Sequence, residues 1–85
     1  MKDEEVIGEL VKLKGVGVWT AEMFLMFTLG RPDIFSTRDL GLQNAIIKLY
    51  KLKEKPTTNE LLIISEKWSP HRTFASRILW KSLEL

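Results

Sequence analysis

The chain contains no cysteine. Disulfides, thiolate zinc and a cysteine-held iron–sulfur cluster are therefore excluded. Neither sign of charge dominates: 13 Lys and Arg stand against 11 Asp and Glu, a net charge of +2. Such a mildly basic surface is compatible with a polyanion but does not by itself establish one. The longest apolar run, Val16 to Leu29, is interrupted by Thr20 and Glu22 and is too short for a membrane span. No signal peptide, internal repeat, linker or low-complexity tract is recognisable, and the cytoplasm is the expected compartment. Nothing argues for a strand beyond β-branched residues scattered through helical patterns.

What is present is a globular composition, with 45% hydrophobic and 28% charged residues. At 85 residues the chain allows one domain with a modest core. The periodicity is helical throughout. Residues 3–13 read as an amphipathic helix, with Asp3, Glu4 and Glu5 in its first turn and Val6, Ile7, Leu10, Val11 and Leu13 on its apolar face. Residues 18–29 follow as a helix that is apolar nearly all round and wants cover on every side. The other helices supply only part of that cover. This helix is therefore expected at the centre of a larger helical domain of which the chain is a piece. The alternative is a small self-sufficient bundle or a tight dimer.

Gly30, Arg31, Pro32 and Asp33 break the central helix, with Gly30 at its C′ position. Ile34 and Phe35 read as an anchored loop. Ser36 or Thr37 is expected to cap a helix from about Arg38 to Tyr50 that buries Leu40, Leu42, Ala45, Ile46 and Leu49. After a solvated basic connector, Thr57 and Glu60 form a capping box for a helix carrying Leu61, Leu62, Ile64 and Trp68. Ser69 and Pro70 fit the N-cap and first position of a last helix, expected to bury Phe74, Ala75, Ile78 and Leu79. The fold class is all-α.

The stretch that organises the chain is Leu13-Lys14-Gly15-Val16-Gly17-Val18-Trp19-Thr20-Ala21. Two glycines at spacing two let the backbone reverse and feed straight into a helix N-terminus. On the glycines alone, two readings stand. One is a tight helix–helix turn with Gly15 near a C-cap; the other is a phosphate-binding turn, because the first helical N–H groups have no intrahelical partner. Asp39, read from its surroundings alone, is a carboxylate in the first turn of a helix, where the dipole favours it. Asp33 directly follows Pro32 and is better explained as turn chemistry.

These segments are more informative together. Leu-x-Gly-x-Gly-x-Trp-Thr-Ala at residues 13–21 resembles the hairpin of the helix-hairpin-helix DNA glycosylases. Arg31-Pro32-Asp33-Ile34-Phe35-Ser36-Thr37-Arg38-Asp39-Leu40-Gly41-Leu42 resembles the segment that carries that superfamily's catalytic aspartate. Trp68-Ser69-Pro70-His71-Arg72-Thr73-Phe74-Ala75, with Leu79-Trp80, resembles the ending of the 3-methyladenine DNA glycosylase II (AlkA-like) branch. The resemblance covers most of residues 1–85. It implies the C-terminal part of a helix-hairpin-helix glycosylase domain whose fold continues on the N-terminal side of Met1.

The resemblance assigns roles residue by residue. Asp39 is the implied catalytic group, stabilising an oxocarbenium-like sugar and positioning water as a damaged base departs. Trp19 stands where members with strand-cleaving activity carry a lysine, which implies base excision without lyase chemistry. Trp19 and Trp80 are the implied aromatic walls around a flipped base, and an N-alkylated purine, being cationic, is drawn to an indole. Trp68 is read as core. Met23 stands where an aromatic is frequent in the family and is expected to pack against the base. His71, the only histidine, is read as a surface residue at a helix start.

Backbone N–H groups of Gly15, Gly17 and Thr20 are implied to hold one phosphate 3′ of the lesion, with Lys14 beside them. Arg72 and Arg77 either add phosphate contacts or are plain solvated charges. The carbonyls of Val11, Leu13 and Val16 are the implied holders of a monovalent cation, Na+ or K+; no other cofactor is expected. The implied partner is double-stranded DNA carrying alkylated bases such as 3-methyladenine. A second is the missing N-terminal part of the same fold, or another copy of the chain. The location implied is cytoplasmic and nucleoid-associated, or nuclear in a eukaryote. The rival readings are a non-catalytic helix-hairpin-helix module that grips the DNA backbone, and an interaction bundle unrelated to DNA.

Overall fold

Every regular element among the described residues is helical. The computed structural model describes Met1–Glu84. The order is α1 (Asp3–Leu10), α2 (Val18–Met23) running on into a π-helical turn (Phe24–Thr28), α3 (Leu40–Tyr50), α4 (Thr58–Glu66) and α5 (Arg72–Ser82). None of these helices is long and apolar enough to cross a membrane.

Two small cores hold them. Val6 of α1 meets Leu25, Met26 and Ile34 in one; Phe35, Leu42, Ala45, Ile46, Leu61 and Leu79 form the other. Trp80 packs against both. In α3 the buried positions Leu42, Gln43, Ala45 and Ile46 follow the helical repeat, and this stripe faces α5. Trp68 packs against the second core with its ring edge-on to Phe35, as its sequence setting predicts. The capping box forms as expected. Thr57 N–H donates to Glu60 Oε1 at 2.9 Å, and Glu60 N–H donates to Thr57 Oγ1 at 3.1 Å.

Several boundaries differ from the sequence reading. The first helix stops at Leu10, three residues early, because Lys12 and Leu13 donate to Glu9 and Leu10 in tighter three-residue turns. Val11 and Leu13 accordingly stand exposed instead of joining the apolar face. The central helix widens into the π turn, where Leu29 N–H reaches Phe24 O, before Gly30 ends it at φ +65°. The third helix begins at Leu40 with Asp39 itself as N-cap; Ser36 is buried elsewhere and caps nothing.

The last helix begins at Arg72, after a cis Ser69–Pro70 bond, with His71 rather than Ser69 at the N-cap. It turns Thr73, Ser76 and Leu79 inward, so Phe74 and Ile78 face solvent. The cause is a lace of hydrogen bonds. Thr73 Oγ1 donates to Arg31 O and accepts from Ile34 N–H, Thr73 N–H donates to Pro32 O, and Ser76 Oγ donates to Ile34 O. A loop backbone needs such partners when buried, and they claim the inner face of α5. Leu40 and Leu49, also expected in the core, lie on the outer side of α3 and are exposed.

Burial separates neighbouring apolar positions in stability. Ile46→Ala, at a fully buried site, should cost about 2–5 kcal/mol. Leu40→Ala should stay within about 0.5 kcal/mol. Urea unfolding of the two variants beside the parent chain measures both.

Candidate active site at the hairpin helix

Gly15 adopts φ +85°, a left-handed conformation that glycine supplies without strain. Gly17 is extended and forms the N-cap of α2. Both are exposed, with open space where a Cβ would stand. No side chain caps α2, and among the described residues the first-turn N–H groups of Val18, Trp19 and Thr20 have no backbone acceptor. Lys14 is exposed on the same turn. Among the described residues Leu13 O accepts from Val16 N–H, whereas the carbonyls of Val11 and Val16 accept from no backbone N–H.

Beyond the hairpin, three elements converge on one carboxylate. Trp19, in the first turn of α2, donates its indole N–H to Asp39 Oδ1 at 2.7 Å. Trp80, near the end of α5, donates its own to Asp39 Oδ2 at 2.8 Å. Leu42 N–H donates to the same Oδ2 at 2.9 Å, the usual N-cap bond. Asp39 is 8% exposed, while Trp19 remains 45% exposed. The site is thus a fixed anion at the floor with an accessible indole at its rim. Trp80 is half-buried and stacks on Phe27, ring centres 5.8 Å apart. Arg77 lies over that Phe27 ring at 5.5 Å, so its charge is partly engaged by a ring face.

Not every sequence candidate joins this group. Met23 is half-buried and packs into the first core. Arg72 is taken up by Asp33: its Nε and Nη2 donate to Asp33 Oδ1 and Oδ2 at 2.7 and 3.2 Å. With Ser69 Oγ also donating, the Arg72 guanidinium holds the Asp33 carboxyl down at about 2. Asp33 therefore clamps the loop that carries Asp39 onto α5.

Glu22 and Ser36 were absent from the sequence candidates. Fully buried Ser36 donates to Glu22 Oε1 at 2.6 Å, tying the segment before Asp39 to α2. Burial pushes the Glu22 carboxyl up, opposed by Ser36 and Arg38 and reinforced by the Asp39 charge. The signal available in sequence was a single acidic residue inside an otherwise apolar run. Its spacing of three from Trp19 places it on the same helix face.

No protein-family model matches the chain. Individual proteins do. A DNA-3-methyladenine glycosylase of Schizosaccharomyces pombe is 40% identical over 85 residues, which is 100% of this chain and 37% of that protein. A DNA-3-methyladenine glycosylase of Bacillus subtilis is 39% identical over 74 residues, 87% of this chain and 24% of that protein. Among solved structures, the S. pombe 3-methyladenine DNA glycosylase in complex with abasic DNA superposes with a TM-score of 0.93 over 100% of this chain and 41% of that one. The homologues of this chain are thus DNA-3-methyladenine glycosylases, of which it matches a part. A Bacillus halodurans DNA-3-methyladenine glycosidase agrees, at TM-score 0.86 and 41% identity over 96% of this chain and 38% of that one. The chain spans well under half the length of each of these glycosylases.

The Asp33 clamp makes a pH prediction. Its folded carboxyl sits at about 2, below the ordinary 3.8, so its contribution is complete above about pH 4 and is lost as pH falls toward 2. Asp33→Asn should lower stability at neutral pH and flatten that acid limb. Urea midpoints collected from pH 2 to pH 6 for both chains measure the difference.

Proposed function

We propose that these residues form the catalytic half of a monofunctional alkylpurine DNA glycosylase. Such an enzyme flips an alkylated purine such as 3-methyladenine from duplex DNA and hydrolyses its N-glycosidic bond. The observation that carries the reading is the threefold cradling of Asp39 by two indole N–H groups and a helix-start amide. A carboxylate held this way cannot swing to follow the substrate. Its negative charge waits where a sugar becomes oxocarbenium-like, which is electrostatic preorganisation. The spare acceptor capacity on Oδ1 suits it to orient a water at C1′.

The exposed face of Trp19 is available to a flipped, positively charged base, with Trp80 behind the carboxylate and Met23 at the core side. At the Trp19 position no amine is available for a Schiff base, so strand cleavage through that intermediate does not follow base loss. The backbone N–H groups of Gly15, Gly17 and Thr20, which donate to no backbone carbonyl among the described residues, suit a phosphate contact, with Lys14 adjacent. Carbonyls of Val11, Leu13 and Val16 offer hard oxygen donors that would hold a monovalent cation, which would supply positive charge beside that phosphate. The exposed apolar side chains Leu49, Phe74 and Ile78 suit cover by the remaining part of a glycosylase fold or by another copy.

The test is release of 3-methyladenine from methylated duplex DNA by the complete protein that carries these residues. Asp39→Asn should slow release about 100-fold or more while binding to abasic duplex is kept. Undiminished release would remove Asp39 from its role; binding without any release in the parent would favour a non-catalytic clamp. Borohydride should trap no covalent protein–DNA adduct. The isolated 85 residues should be nearly inactive and self-associate in light scattering. A clean monomer with full turnover contradicts the proposed need for cover.

A further inference from the structure

The second residue of α3 has a specific reason to lack a side chain. A Cβ built on Gly41 would lie 3.0 Å from Trp80 Cδ1, 3.1 Å from Trp80 Nε1 and 3.1 Å from Asp39 Oδ2. Carbon atoms in comfortable contact sit near 3.5–4.0 Å. All three crowded atoms belong to one hydrogen bond, that from the Trp80 indole to the carboxylate, or to the ring edge that makes it. The backbone gives no other cause for glycine, since Gly41 is helical and its φ is not in the left-handed region. Glycine is in fact among the poorest helix residues, behind only proline. Local helix preference is therefore overridden here, and the overriding contact is with Trp80 and Asp39.

We propose that Gly41 is a positioning residue, left bare so that the Trp80 N–H can reach Asp39 and lock its carboxylate. Any Cβ at this place wedges against the donor and the acceptor at once. At 3.0–3.1 Å the ring edge and Oδ2 must give way by a few tenths of an ångström, which stretches the 2.8 Å bond toward the long end of the hydrogen-bonding range. The Trp80 hold on Oδ2 then weakens beside that of the Leu42 amide, and the carboxylate gains freedom to rotate. This role rests on the reading of Asp39 as the catalytic group, but the steric claim beneath it does not.

Two measurements separate the two claims. In the 15N-labelled complete protein the indole N–H resonances of Trp19, Trp68 and Trp80 are assigned by single Trp→Phe substitutions. Gly41→Ala should move the Trp80 indole resonance upfield and leave that of Trp19 nearly in place. An unmoved Trp80 resonance overturns the proposal. If Gly41→Ala unfolds the chain, Trp80→Phe added to it should restore folding, because the smaller ring vacates the crowded edge; failure of that rescue also overturns it.

In the complete protein, Gly41→Ala should slow release of 3-methyladenine roughly tenfold, the scale of one hydrogen bond to a charged group. Trp80→Phe should match it, and the double variant should be no slower than Trp80→Phe alone. Multiplying losses in the double variant overturn the proposal. A parent protein that releases no base sinks the catalytic reading of Asp39 instead, while the indole resonance still decides the steric claim.

Discussion

A carboxylate taken almost fully out of water has to be satisfied by something, and among the described residues no salt-bridge partner does it. Asp39 accepts three N–H groups, one from each of three helices. Hydrogen bonds to a charged group contribute about 1.5–3 kcal/mol each, and a buried polar group left without them costs as much or more. The network is therefore a structural demand before it is a chemical one. Helix α2 cannot turn, α3 cannot slide and α5 cannot retreat without stranding an acceptor. Two carboxylate oxygens offer about four lone-pair directions. Oδ2 accepts twice and Oδ1 once, so the capacity that remains lies on the oxygen beside the half-exposed Trp19 ring. The same bonds that secure the fold leave the carboxylate one direction in which to act.

The supporting shell follows from this need. The loop that delivers Asp39 has little apolar anchorage beyond Ile34 and Phe35, so polar groups fix it. Asp33 is clasped by Arg72 and Ser69, Arg31 O and Ile34 N–H share the Thr73 hydroxyl, and Ser36 reaches Glu22. The inner face of α5 is spent on these small hydroxyl residues. Its larger apolar side chains, Phe74 and Ile78, are displaced to the outside, where they line an open groove with Leu49 and Trp68. The rigidity of the carboxylate and the bareness of this surface thus share one cause.

How much of this was legible in the sequence depends on whether the information is local. The hairpin glycines, the Thr57–Glu60 capping box, the Gly30 stop and the helical class are local signals and were readable. The triad of Trp19, Asp39 and Trp80 was brought together by motif resemblance; periodicity alone gives no reason for residues 20 and 41 positions apart to touch. What could not be read was mostly non-local. Ser36 looked like a cap because serine is a favoured N-cap residue, but half-buried Glu22 takes its hydroxyl instead. Phe74 and Ile78 sit at core spacing, yet the loop backbone claimed the inner face. Met23 and Arg72 matched the notion of ligand contacts by position alone, and the fold gave them internal partners.

The π turn from Phe24 to Thr28 carries a consequence of its own. Each residue of an α-helix advances about 100° around the axis, so a wider turn that takes up one extra residue resets the angular phase of everything after it. A run that is greasy on all sides is thereby divided. Leu25 and Met26 go inward, and Phe27 is delivered beneath the Trp80 ring instead of rotating past it. The tryptophan that donates to the carboxylate thus rests on a ring presented by a winding irregularity in the central helix.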